Sequence, residues 1–543
     1  MESLIRYYLP RSSLTVNKSK GRMNPQVVIP MSGLGRRFLK AGFATPKPLI
    51  EIFGKPMFQW AREMYPADWE TIFVVNTEHL SDKKLNMREK LLKVDPNAVI
   101  VELEPHSFGP GFAVNAATAA IKDYAPVIIN YCDFAGTFNS DQGLRDLIKY
   151  DSWVLTYSGF NPHMLRSNKF AYVKKNTSGE VIDIQEKQPF TNDPNSEETS
   201  AGAYGFKSGS ILKSALKFQL DNPTIYSLGG EFYTSLTVKA ALDLSFSVGT
   251  TLMDKFFQWG TPEDLSDFIY WNNSVHEIFS NINVKKSEHP SNVLILACGR
   301  GERIRSVANE DKILIPVGKK QLWEHAADSS DAGTTKCLLV RSELKERIQD
   351  RTDVRALTLD IETNGQADSA LIGIEEFNID NDLPLTILSS DSVVPKNFNN
   401  LATQRLAESG ADLVVWTSYQ YPPALFEGEH FSWVKSSNYQ VTDLLSKNTP
   451  KVDVDEWSII IGNFTFKSGI LARNEIRKLL SSDNLKINGE FYLDTLVKSF
   501  IESKMKVISV EVPNYFSLGT ESEFLSYKYW EECSTFFSDS QKI

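Results

Sequence analysis

The strongest constraint on this chain is that its second half restates its first, so whatever fold one half adopts, the other must adopt as well. "VVIPMSGLGRRF" at 27–38 returns as "LILACGRGERI" at 294–304, and "TPKPLIEIFGKPM" at 45–57 as "EDKILIPVGKKQL" at 310–322. Gly33 and Gly35 recur 266 residues on as Gly299 and Gly301, and Lys47 recurs 265 on as Lys312. "VIINYCDF" aligns with "LTILSSDS", which sets Asp133 over Asp391 at a shift of 258. "AGAYGFKSG" pairs with "IGNFTFKSG", "GGEFYTSLTVKAALD" with "NGEFYLDTLVKSFIE", and "FFQWGTPEDLSDFIYW" with "YFSLGTESEFLSYKYW", all at shifts of 259 or 260. Six ordered matches divide the 543 residues into a basic extension (1–24), a first domain (25–285) and a second (292–543). The polar segment 283–292, with Pro290, reads as the linker.

Within each repeat, short β-branched runs at 27–30, 71–75 and 127–130 read as buried strands, and helical spacing at 57–65 and 111–124 places helices between them. Strand and helix in alternation predict an α/β fold, a mostly parallel sheet flanked by helices, with ligands at the carboxyl ends of the strands.

Composition removes several function classes. Acids outnumber bases by ten, which disfavours a general nucleic-acid binder. No apolar run reaches the ~20 residues of a membrane span, and four scattered cysteines form no disulfide or zinc framework. A small-molecule partner and a reducing cytoplasm fit. The first 24 residues carry Arg6, Arg11, Lys18, Lys20 and Arg22 against Glu2, with no apolar core for a secretory signal; they read as a flexible or docking arm, dispensable to the fold.

Chemistry concentrates in "SGLGRRF". Glycines let backbone N–H groups approach phosphates, and arginine offers a fork of donors. Lys47 lies between Pro46 and Pro48, which should hold its backbone extended. Asp133 follows an apolar strand, where a hard carboxylate can hold Mg²⁺. His106 reads as a chance loop histidine, and Trp259, Tyr270 and Trp271, with Leu265, Phe268 and Ile269, as a helix packed on the sheet.

The run from Val27 to Met57, followed by "EKQP", "GEFY" and "WGTPEDL", resembles the signature of nucleotidyltransferases that make activated sugars and related headgroups, particularly those of capsule and surface-polysaccharide synthesis. The resemblance covers 27–271 and, more distantly, 294–530. It implies two tandem Rossmann-like domains of the GT-A type. It implies Gly33, Gly35 and Arg37 at the triphosphate, Lys47 at the phosphates, Asp133 on Mg²⁺ or Mn²⁺, Gly109, Gly111 and Ala113 facing the base, and Glu186, Lys187, Gly202 and Glu231 on the acceptor. The substrates would be an NTP, with a leaning towards pyrimidines, and a phosphorylated small molecule such as a sugar 1-phosphate, with release of pyrophosphate. No nucleic acid or membrane partner is implied, and the oligomeric state is left open.

Many members of this family carry a second aspartate where this chain has Gln258 and Ser517, so only Asp133 is assigned to metal, with Asp254 nearby. The second repeat keeps Gly299, Gly301, Arg303, Lys312, Asp391, Lys447, Gly462 and Glu490. It changes Arg36 to Glu302, Glu186 to Ser446, and the two prolines to Asp311 and Ile313. It is read as divergent: regulatory, structural, or specific for another ligand. Rival readings are a glycosyltransferase consuming a nucleotide sugar, which should show an Asp-x-Asp motif, and a catalytically silent nucleotide-sugar sensor.

Overall fold

The computed structural model describes residues 5–8, 24–279, 290–331, 334–379, 382–451, 454–481, 485–487 and 489–540. Most of the expected linker lies outside them. Two compact units divide between Phe268 and Ile269, and each is mixed α/β.

In the first unit, strands Gln26–Met31, Glu70–Asn76, Val99–Leu103 and Val127–Asn130 lie parallel in the order 99–103, 70–76, 26–31, 127–130. Their near-continuous Val and Ile runs are buried on both faces. Glu198–Phe206 then joins antiparallel to Val127–Asn130, and pairs in turn with Ser152–Tyr157 and Ala171–Lys175. The second unit repeats this plan. Its strands run 354–359, 335–341, 292–297, 385–389 in parallel, and Trp457–Phe466 is antiparallel beside the last.

Three sequence expectations change. Residues Ile5–Tyr8 of the basic arm form a strand, antiparallel to Val99–Leu103 with Ile5 opposite Leu103; edge pairing is non-local and invisible to composition. The helix expected over 111–124 spans Pro110–Ala116. Beyond it the chain takes tighter turns, and the Thr118 hydroxyl bonds the Asn115 carbonyl at 2.8 Å, a local side-chain alternative to the helical ladder. Trp259, Leu265, Phe268 and Trp271 are core residues as expected, whereas Ile269 is exposed and Tyr270 half-buried, and Tyr270 and Trp271 lie in the second unit beside Tyr421. No helix among the described residues is long and apolar enough to cross a membrane.

Candidate active site

Strand ends of the first unit assemble one charged centre. Lys47 begins a single 3₁₀ turn, Lys47–Leu49, entered through an extended Pro46. The expected extended lysine is therefore corrected: only the residue before it is extended. The same turn forms at Lys312–Leu314 without either proline, because Asp311 is held extended by Arg341 at 2.7 Å and Arg347 at 2.9 Å.

From this turn Lys47 Nζ donates to Asp133 Oδ2 at 2.6 Å and to the Gly260 carbonyl at 2.8 Å. Gly35 is in the left-handed region (φ +58°), and its missing side chain would sit 3.6 Å from Lys47 Cβ, so the loop folds directly over the lysine. Nothing lies within 4 Å of where a Gly33 side chain would begin, which leaves its backbone open to a ligand. Arg37 is exposed, and its charge reaches Tyr233, where it counters the burial that raises the phenol's pKa.

A second loop meets the first through a residue read as incidental. His106 bridges Gly33 and lies 2.8 Å from Ser32 Oγ through Nε2. Its Nδ1 accepts the Phe108 N–H at 3.2 Å. Burial lowers its pKa, so the ring is neutral and Nε2 carries the proton donated to Ser32. His106 thus ties the glycine loop to the loop ahead of Gly109. Gly109 (φ +85°) admits no side chain, since a Cβ would lie 2.9 Å from both the N and O of Phe232. The Phe232 N–H donates to Phe108 O at 2.8 Å and Gly111 N–H to Phe232 O at 2.7 Å, which locks the Gly109–Ala113 loop to the "GEFY" segment.

That segment carries the acceptor side. Glu231 accepts from the Tyr233 hydroxyl, which also receives Lys187 Nζ, and Lys187 lies 4.3 Å above the Tyr233 ring. Glu186 Oε2 accepts from Ser235 Oγ at 2.6 Å. Burial raises the Glu186 pKa, with Ser235 and Lys187 acting against it. Gly202 has a positive φ of 97°, and a side chain there would begin 3.0 Å from the Tyr131 ring. Tyr233 and Ser235 were not singled out from sequence; retention of Tyr233 as Tyr492 in the second "GEFY" was a signal for the first, whereas Ser235 has meaning only in space.

For a divalent cation, Asp133 is the carboxylate available. Gln258 lies on Lys255–Gln258, opposite Phe134 and so next to Asp133. Asp254 is four residues off along that hairpin, roughly 13 Å away at strand rise, and exposed. Among the described residues no group of three His, Cys, Asp or Glu converges. One carboxylate with substrate phosphates and water is a donor set that suits Mg²⁺.

The second unit rebuilds this centre. Lys312 Nζ meets Asp391 Oδ2 at 2.7 Å. Burial pushes the Asp391 pKa up, but Lys312, Ser389 and Arg303 outweigh it and hold the group well below the ordinary range. Gly301 (φ +64°) folds over Lys312, a side chain at Gly365 (φ +115°) would meet the Phe491 backbone at 2.7 Å, and Lys447 lies 5.0 Å above the Tyr492 ring. Gly462 keeps a positive φ of 79° as Gly202 does, Gly299 has open space around it, and Glu490 is exposed beside Tyr492. Glu302, expected to oppose phosphate, is itself solvent-exposed.

Fold and site together define a nucleotide-handling α/β transferase. Residues 26–266 match the nucleotidyl transferase family and residues 293–446 the MobA-like NTP transferase domain. The chain belongs to the nucleotidyltransferases and carries two such domains in tandem. No curated protein sequence matches it. Among solved structures it is similar to a nucleoside-diphosphate-sugar pyrophosphorylase from Vibrio cholerae RC9 (20% identity, 45% of this chain, 99% of that one, TM-score 0.38). It is similar also to an inositol-1-phosphate CTP transferase from T. maritima (15% identity, 45% and 97%, TM-score 0.36).

Proposed function

We propose that the first unit joins an NTP to a phosphorylated acceptor such as a sugar 1-phosphate. An acceptor phosphate oxygen attacks the α-phosphorus, a new phosphoanhydride bond forms, the bond to the β-phosphate breaks, and pyrophosphate leaves. The nucleophile is already an anion, so no general base is needed; the barrier is charge repulsion and alignment. Gly33, Gly35 and Arg37 receive the triphosphate, and Lys47 supplies a fixed cation at the reacting phosphates. Gly109, Gly111 and Ala113 lie against the base. Lys187 binds the acceptor phosphate, while Glu186, Glu231 and the Gly202 backbone orient its hydroxyl-bearing part. Mg²⁺ or Mn²⁺, when bound by Asp133 and substrate oxygens, neutralises phosphate charge.

The observation that carries this reading is the Lys47–Asp133 pair beneath a left-handed glycine, in a family whose reaction needs phosphate charge neutralised. The pyrimidine leaning, the cytoplasmic setting and a role in supplying activated precursors for surface polysaccharide rest on the motif resemblance. The test is pyrophosphate release by the full chain with Mg²⁺, each common NTP, and a panel of phosphorylated acceptors. Release that requires both an NTP and an acceptor supports the reading; no release from any pairing refutes it.

A further inference from the structure

In the first unit the half-buried carboxylate of the acceptor pocket, Glu186, stands on a strand end and accepts a hydrogen bond from Ser235 on the facing helix Thr234–Asp243. The second unit reverses the two. Glu186 becomes Ser446, and Ser235 becomes Asp494, at shifts of 260 and 259. Ala171, opposite Glu186 in the strand pair, becomes Ser432. Sequence alone reads Ser446 as a lost acceptor contact; the structure returns a carboxylate to the pocket from the other wall.

Asp494 is 6% exposed. Ser432 Oγ donates to its Oδ2 and accepts the Lys447 N–H at 3.3 Å, which places the carboxylate beside the pocket lysine. Oδ1 is buried with no hydrogen-bond partner. Asp494 precedes the helix Thr495–Glu502, yet its side chain makes no capping bond there, so helix capping does not account for it. A buried carboxylate oxygen left unpaired is destabilising, and a ligand that donates to it removes that cost. Lys447 stands in the field of Arg303 and of the Asp494, Asp391 and Glu523 carboxylates, so a cation and a carboxylate meet in this one space.

We propose that the second unit has its own acceptor pocket, which takes a phosphorylated polyol or sugar held by Lys447 at its phosphate and read through a hydroxyl by Asp494 Oδ1, and that this acceptor differs in the position of that hydroxyl from the one the first unit takes. The inference rests on the transferase reading above; the step is the same nucleotidyl transfer, with pyrophosphate leaving.

The test compares full-length wild type with Asp494→Asn and Glu186→Gln in pyrophosphate release, using each common NTP with glucose 1-phosphate, mannose 1-phosphate, inositol 1-phosphate, glycerol 3-phosphate and, as a cationic control, phosphocholine. The expected result is two acceptor-dependent reactions. Asp494→Asn lowers kcat/KM for one by tenfold or more and leaves the other unchanged; Glu186→Gln does the reverse. Ser446→Glu combined with Asp494→Ser, which rebuilds the first pocket in the second unit, shifts the second reaction towards the acceptor preferred by the first, with unfolding temperatures confirming that each variant is folded. Folded Asp494→Asn that leaves every reaction unchanged overturns the inference while the transferase reading stands, as does phosphocholine being the Asp494-dependent acceptor. Wild type that releases no pyrophosphate in any pairing overturns both.

Discussion

Lys47 and Asp133, 86 residues apart in the chain, meet at 2.6 Å at the strand ends of the first unit, and Lys312 and Asp391 repeat that contact at 2.7 Å in the second. Both partners are partly exposed in the first unit, 18% for the lysine side chain and 24% for the aspartate. The pair's retention in both units is what the proposal of a shared phosphate and cation chemistry rests on.

Lys47→Ala and Asp133→Ala are each expected to lower the first unit's turnover by ~10²–10³, the usual loss when one charge-stabilising contact is removed. Neither should shift the unfolding temperature by more than a few degrees. Steady-state kinetics beside thermal unfolding decides it, and a folded variant with near-normal turnover would remove that residue from the site.

Activity is expected to need Mg²⁺ or Mn²⁺ and to vanish in excess chelator. Because Gln258 lies opposite Phe134, next to Asp133, Gln258→Asp should supply a second carboxylate and lower the Mg²⁺ concentration for half-maximal rate severalfold. A metal titration of both proteins checks this, and an unchanged midpoint would place Gln258 away from the cation.

The raised Glu186 pKa sets a pH dependence. Burial favours the neutral form, so as pH falls this carboxyl protonates before an ordinary glutamate at 4.5 would, and the acceptor loses a hydrogen-bond partner. The acid limb of kcat/KM for the first unit's acceptor should therefore lie above pH 4.5, and Glu186→Gln should flatten it.

Gly109→Ala is expected to destabilise the first unit by about 1–3 kcal/mol, through its positive φ and the Phe232 backbone 2.9 Å away, and to raise KM for the nucleotide. Gly365→Ala should do the same in the second unit, where Phe491 is 2.7 Å away. Denaturant unfolding of the two variants measures it.

The parallel core, the glycine loops and the Lys47, Asp133 and "GEFY" positions were legible in sequence because each depends on local patterning or on a motif kept in both repeats. What was not legible depends on contacts across space. Residues 5–8 carry strand-favouring Ile and Tyr, but the edge they pair with, residues 100–103, lies far along the chain, and His106 gains its role from Ser32, 74 positions away. Asp311 replaces a proline through Arg341 and Arg347, and the carboxylate that leaves position 186 reappears on a different element as Asp494. A residue-by-residue alignment of the repeats scores those exchanges as losses, although side-chain chemistry is conserved around each pocket.

The most direct measurement follows the phosphorus. With an NTP labelled at the α-phosphate and a phosphorylated acceptor, the label should pass into a nucleotide-linked acceptor, and with γ-label it should leave as pyrophosphate; Lys47→Ala should abolish the reaction assigned to the first unit. Lys312→Ala with Asp391→Ala should spare that reaction and remove only the one that depends on Asp494. Label that stays in the NTP, while a nucleotide sugar supplied in a parallel reaction is consumed without pyrophosphate, would contradict the account and make the chain a glycosyltransferase.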